Sequence, residues 1–213
     1  NNVNFKSLYH RTKWHATTGG RLFEYQKKLV RKIVEELNEF DNVIFEIHNE
    51  PWADQGVVKL TYNHYIKESN PGWVNVAELA SEASLEWQKE IANVIRKTEQ
   101  EHPKKHIIAQ NYCNFKYPLE HVDDNIDMIN FHYALPEAVT WNYGWNKPVS
   151  FDESGFLGND PETYRNHAWN FILAGGAVFS NLDYSFAVGY EDGTFQSGQS
   201  PGGGGPVLRA QLR

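Results

Sequence analysis

Short apolar runs alternate along this chain with stretches whose apolar residues recur at helical spacing, and that alternation is the strongest constraint on its fold. The runs fall at 43–47 (Val43, Ile44, Phe45, Ile47), 106–109 (Ile107, Ile108, Ala109), 128–131 (Met128, Ile129, Phe131), 148–151 (Val149, Phe151) and 177–182 (Ala177, Val178, Phe179, Leu182). They are short and rich in β-branched or aromatic residues, as buried strands are. Between them, residues 21–38 place Leu22, Tyr25, Leu29, Val30, Ile33, Val34 and Leu37 at helical intervals. A second helix is predicted from residue 76 or 77 to 101, with Leu85, Ile91, Val94 and Ile95 inward, and a brief one near 118–122. Asp160-Pro161-Glu162 reads as a cap and first turn, and Gly175-Gly176 as that helix's closing glycines. Strands that alternate with helices run parallel, joined by crossovers, so the expectation is an α/β fold with five strands. Residues 52–73 carry Gly, Asn and Pro without a period and read as a long inserted loop. The four glycines at 202–205 read as a flexible loop, after which the chain stops where a further helix could begin.

Polar and aromatic residues appear together at the carboxyl end of every run. Ile47 is followed by His48, Asn49, Glu50, Pro51 and Trp52; later ends carry Gln110, Asn111 and Tyr112, then His132 and Tyr133, then Asp152, Glu153 and Ser154, then Asp183, Tyr184 and Ser185. Parallel α/β barrels assemble their active sites at that end of the strands, so five such ends point to one collected site. Two carboxylates among them, Glu50 and Glu153, suit cleavage of a glycosidic bond, which needs a proton donor on the leaving oxygen and a second carboxylate at the sugar carbon. They stand three βα units apart at about 34 residues per unit, against roughly 31 in a barrel of ~250 residues. Asp152 is an equally plausible carboxylate beside Glu153. Glu46 lies inside its strand and is expected to be buried and paired or to face a barrel interior.

His48-Asn49-Glu50-Pro51 resembles the Asn-Glu-Pro signature of the clan A glycoside hydrolases, which place their acid/base after the fourth barrel strand. Phe151-Asp152-Glu153-Ser154-Gly155 is similar to the nucleophile segment after the seventh strand, and His132-Tyr133 to the pair after the sixth in cellulase-like families. The resemblance implies a (β/α)8 TIM barrel present as strands four to eight, a single catalytic domain over 1–213 lacking strands one to three and the C-terminal helix, and continuous with further segments of a longer chain. It implies a retaining O-glycosyl hydrolase for an equatorial, β-linked sugar, with Glu50 as acid/base and Glu153 as nucleophile. Asn49 would bind the sugar 2-hydroxyl and Tyr133 would hold the nucleophile, while His48, Trp52, Asn111, His132, Asp183 and Tyr184 complete the substrate-binding set. The family's Arg and His from the early strands have no counterpart here, and Leu182-Asp183-Tyr184-Ser185 stands where the family presents a Trp platform.

Composition removes several other classes. A formal charge of -7 without a basic stripe argues against nucleic acid, and no apolar run approaches the roughly 18–20 residues that span a bilayer. Cys113 is the single cysteine and cannot form an intrachain disulfide; it reads as an inert, partly buried thiol. Seven Trp and eleven Tyr supply rings for packing or for flat ligands such as sugars, and Trp52, Trp141 and Trp145 are open to either role. No cofactor and no metal is expected, because His48 and His132 lack the spacing of a dedicated ligand set. The expected partner is an oligo- or polysaccharide, a substrate class that favours a secreted or periplasmic site although no signal peptide is visible. The rival readings are a carbohydrate-binding pseudoenzyme and a metal-dependent hydrolase on the same barrel.

Overall fold

The helices that begin at residues 82 and 161 start where the local sequence supplies a side-chain cap. In the computed structural model, which describes residues 14–55, 57–60, 76–155, 157–158, 160–196 and 205–212, the elements in chain order are α1 (Gly20–Leu37), β1 (Ile44–Glu46), α2 (Trp52–Gln55), β2 (Val57–Leu60), β3 (Val76–Leu79), α3 (Glu82–Glu99), β4 (Ile107–Asn114), β5 (Met128–His132), α4 (Pro136–Thr140), β6 (Val149–Glu153), α5 (Pro161–Leu173), β7 (Val178–Phe179) and α6 (Pro206–Gln211). The fold is mixed α/β, and β1, β4, β5, β6 and β7 form a parallel sheet of five strands. The segment opening at Asn1, most of the inserted loop and Gly202–204 lie outside the described residues.

Several expectations are corrected. The inserted loop opens with α2 and β2, elements too short to show a period. Val76–Leu79 is the strand β3, antiparallel to β4 through Leu79 and Cys113, and the helix that follows starts only after Ser81. The Ser81 hydroxyl accepts from the Ser84 N–H at 3.3 Å, and Glu82 in the first turn with Arg96 and Lys97 in the last suit the helix dipole. β4 continues through Asn114, so Gln110, Asn111 and Tyr112 lie within it rather than after it. Residues 118–122 form no helix, and a six-residue C-terminal helix, α6, is present.

The chain divides into two compact units: Asn1–Val58, Glu78–Cys113 and His121–Ile129 in the first, Lys59–Ala77, Asn114–Glu120 and Asn130–Arg213 in the second. The boundary passes through β5, which contributes to both. In the first unit β1 pairs in parallel with β4 (Ile44 with Ile107, Glu46 with Ala109), and α1 packs on α3. Phe23 and Val34 of α1 and Trp87, Ile91, Val94 and Ile95 of α3 are buried there, whereas Tyr25, Leu29 and Ile33 stay exposed. The apolar stripe of α1 is thus wider than the face it buries, with Val34 inside that face and Leu22, Val30 and Leu37 half-buried. At the amino ends of the strands, Arg96 reaches Glu99, Asp127 and the carbonyls of His106 and Asn125.

In the second unit β6 pairs in parallel with β7 (Ser150 with Val178, Phe151 with Phe179). Phe151 meets Phe171 of α5 and Phe179 edge-on at ring separations of 5.4 and 5.0 Å, within a core that also buries Phe115, Phe131, Tyr164 and Leu208. Fully burying such a ring contributes roughly 1.5–3 kcal/mol. α5 starts as its sequence requires, with the Asp160 carboxylate accepting from Glu162 N–H at 3.2 Å and Pro161 in the first turn. It ends at Gly175, whose φ of 101° only glycine adopts without cost.

Candidate active site

In the first unit the backbone turns sharply after β1. Pairing outlasts the strand by one residue, Ile47 N–H donating to the Ala109 carbonyl at 3.2 Å, and Glu50 then takes a left-handed conformation with φ of 45°. A non-glycine residue there is held by its surroundings at some cost in conformational energy. The holder is Asn111, fully buried on β4. Its side-chain oxygen accepts from the Glu50 N–H at 3.4 Å while its amide donates to Glu46 Oε1 at 2.5 Å. Asn111 therefore ties together the last residue of β1 and the residue expected to act as acid/base. Glu46 is paired in this way but exposed, not buried. Asn49 is also exposed.

His48 does not stand alone at that strand end. Its ring lies 4.1 Å from that of His15 and 5.9 Å from that of Trp87, which it meets edge-on. Trp87 is buried on α3, and its indole N–H donates to Gln26 Oε1 at 3.1 Å, while the Gln26 amide donates to the Trp14 carbonyl at 2.8 Å. Nothing in the spacing of His15 or Trp87 links them to this end, because a ring contact made through the fold leaves no trace in sequence separation. Trp52 is 4% exposed and offers no open face for stacking.

In the second unit the side chains converge on Glu153, the last residue of β6. Tyr133, the residue after β5, also has a left-handed backbone (φ 50°) and donates its N–H to the Glu153 carbonyl at 2.8 Å. Its phenol O–H donates to Glu153 Oε1 at 2.5 Å. His132 ends β5 and is buried; its Nδ1 lies 3.5 Å from Glu153 Oε2 and its Nε2 lies 3.2 Å from Asp152 Oδ1. One carboxylate oxygen of Glu153 thus accepts from the Tyr133 phenol and the other lies beside the His132 ring, which restrains a terminal torsion that is otherwise broad.

After β7 the Leu182 N–H donates to the Ser154 carbonyl at 3.0 Å, and the Ser154 hydroxyl donates to Asn181 Oδ1 at 3.2 Å. Asp183 commits its carboxylate to the loop itself. Burial alone would raise it, but the Ser185 hydroxyl and N–H and the Arg209 guanidinium outweigh that and hold it below the usual carboxylate range. Arg209 of α6 reaches Asp183 Oδ2 at 2.8 Å, the Ser185 hydroxyl at 2.6 Å and the Gly193 carbonyl at 2.7 Å, and lies 4.8 Å over the Phe186 ring. Arg209 was not legible as a loop anchor, since it follows that loop by many residues. Tyr184 is 48% exposed and its face is open. Trp141 is also exposed, with Lys116 Nζ 5.3 Å from its ring, whereas Trp145 donates its indole N–H to the Leu119 carbonyl at 3.3 Å.

No helix among the described residues is long and apolar enough to cross a membrane. No protein-family model, curated protein or solved structure matches the chain.

Proposed function

We propose that the chain is part of a retaining glycoside hydrolase of the clan A type, its parallel sheet a portion of a (β/α)8 barrel, acting on an equatorial, β-linked glycosidic bond. The observation that carries the reading is the seating of Glu153: a carboxylate at the carboxyl end of a parallel strand, with the Tyr133 phenol on one oxygen and the His132 ring facing the other. A group that must attack an anomeric carbon repeatedly along one line benefits from this restraint, because reacting atoms have to be held in near-attack geometry.

In this reading Glu50 donates a proton to the departing oxygen while a Glu153 oxygen forms a bond to the anomeric carbon and the glycosidic C–O bond breaks. Glu50 then takes a proton from water, which displaces Glu153 and restores the original anomeric configuration. Asn111 supports Glu50 through its backbone N–H, and Tyr184 offers an open ring to a sugar face.

The test uses a panel of 2,4-dinitrophenyl β-glycosides. Glu153→Ala should lower turnover by roughly 10⁴-fold or more, the scale expected when a covalent nucleophile is removed. Azide should then restore turnover by displacing dinitrophenolate directly, giving the glycosyl azide of inverted, α configuration. Glu50→Ala should still form the glycosyl-enzyme from this good leaving group, and azide should release it as the β-glycosyl azide. A Glu153→Ala variant with near-normal turnover would remove Glu153 from the role of nucleophile. A wild-type protein that releases dinitrophenolate from no glycoside in the panel would overturn the reading.

A further inference from the structure

We propose, resting on the reading of Tyr184 as a ring that meets a sugar face, that Arg209 is the positioning residue for Tyr184. The Leu182 N–H donates at 3.0 Å to the carbonyl of Ser154, the neighbour of Glu153. Tyr184 follows two residues later, at most about 7 Å further along the chain, and its ring is exposed. The two residues that flank it are both held by one guanidinium. Arg209 Nη1 donates to Asp183 Oδ2 at 2.8 Å and to the Ser185 hydroxyl at 2.6 Å. Ser185 in turn donates its N–H to Asp183 Oδ1 at 2.9 Å and its hydroxyl to the same oxygen. Tyr184 is thus the middle residue of a turn closed by a carboxylate, and Arg209 grips that turn on both sides of the ring.

The anchor is itself fixed, and the loop is shaped to receive it. Arg209 belongs to α6, which packs on α5 and buries Leu208. Its Nη2 donates to the Gly193 carbonyl at 2.7 Å, and the guanidinium lies 4.8 Å over the Phe186 ring. A Cβ at Gly193 would stand 2.7 Å from that Nη2 and 2.8 Å from the Phe186 ring, so the guanidinium needs a bare backbone there. Gly193 also has a φ of 75°, which glycine adopts without cost. The Phe195 N–H donates to the Ser185 carbonyl at 3.0 Å, closing the loop onto the same clamp. One planar fork thus serves three acceptors, Asp183, Ser185 and Gly193, a geometry that suits arginine and not lysine. Without the fork Asp183 and Ser185 could still pair, but their turn would be free to swing against α6. Tyr184 would then have to be ordered by the sugar it binds, and that ordering is subtracted from affinity.

The experiment is a double-mutant cycle on kcat and KM for a 2,4-dinitrophenyl β-glycoside that the wild type cleaves, using Arg209→Met, Tyr184→Ala and the double variant. Methionine keeps a flexible stem against Phe186 and donates no hydrogen bond. Each single variant should raise KM by about three- to ten-fold, the scale of one aromatic contact, with kcat within about two-fold. The double variant should be no worse than Tyr184→Ala, because a residue that acts through Tyr184 has nothing left to position. Independent losses would multiply instead. If Arg209→Met does not fold, Ser185→Ala removes the hydroxyl that Asp183 and Arg209 share and takes its place in the cycle, with the same outcome expected. Unchanged KM in the clamp variant, a loss confined to kcat, or a double variant whose KM multiplies the two single effects overturns the proposal. If the wild type cleaves no glycoside, the hydrolase reading falls by itself, and calorimetric binding of cellotetraose, xylotetraose and mannotetraose carries the same cycle. An affinity that the clamp variant leaves intact, losses that multiply in the double variant, or no binding of any of the three, would then overturn the positioning role.

Discussion

The Tyr133 hydroxyl can be deleted with little else disturbed, because its ring is placed separately, 6.4 Å from that of Phe115 and edge-on to that of His132. Tyr133→Phe should therefore lower kcat on an aryl β-glycoside by about 10–10²-fold, while stability changes by no more than about 1–2 kcal/mol. Equal kcat in the variant would mean that the short contact to Glu153 does not serve the reaction. Cys113 offers a contrasting case. It is fully buried on β4, and burial pushes its thiol well above the ordinary range. A disulfide reagent should label it only as fast as the protein opens, and prompt labelling under native conditions would contradict that burial. Strand-end position and the family-like segments around them brought Glu50, Tyr133 and Glu153 to notice in the sequence. Asn111 was noticed for the wrong reason, since it lies inside β4, and its use as a tether depends on a cross-strand partner that no spacing reports. The His132 contact with Asp152 was likewise hidden, being set by how a ring turns between two strands.

Elements were legible in proportion to how local their determinants are. α5 could be placed to within a residue because its cap, its first-turn proline and its closing glycine all lie in its own sequence. β3 was mistaken for the start of α3, because four residues fit either period and tertiary pairing with β4 decides. Gly176, just past α5, shows how a local signal carries a packing requirement as well. A Cβ there would lie 2.2 Å from the Phe171 ring and 2.9 Å from the Phe171 carbonyl oxygen. The ring is itself buried against Phe151, so little room exists for it to withdraw. Gly176→Ala should cost about 1–3 kcal/mol, the range for overpacking a filled core, read as a lower urea midpoint at unchanged slope. A midpoint equal to that of the parent would show that Phe171 can move aside.

Across the whole molecule the sequence conveyed the layer order better than the chemistry of its interior. Alternating periods were sufficient for a parallel sheet of five strands, since the strand and helix periods are local to each run whichever neighbour it takes. Which polar groups would be enclosed depends on packing, and the half-buried His167 is one whose titration reports it. It lies on α5 with its ring 6.5 Å from that of Phe151 and 6.4 Å from that of Tyr164, and burial holds its pKa down to about 4. In the unfolded chain it should titrate near about 6.5. Between those values the unfolded state binds a proton that the native state does not, so stability is full above roughly pH 6.5 and falls as the pH drops toward 4. Asp183, held below its usual range, continues the loss at lower pH, because its contribution is present above about pH 3.9 and disappears as the native carboxyl is protonated. Urea midpoints taken from pH 7 to 4.5 should therefore decline, with His167 accounting for about 1–3 kcal/mol. His167→Gln removes the titrating group and should flatten the curve across that window while leaving the fall below pH 4. If the variant declines as steeply as the parent, the sensitivity resides in other groups, and His167 is not the residue through which acid reaches this core.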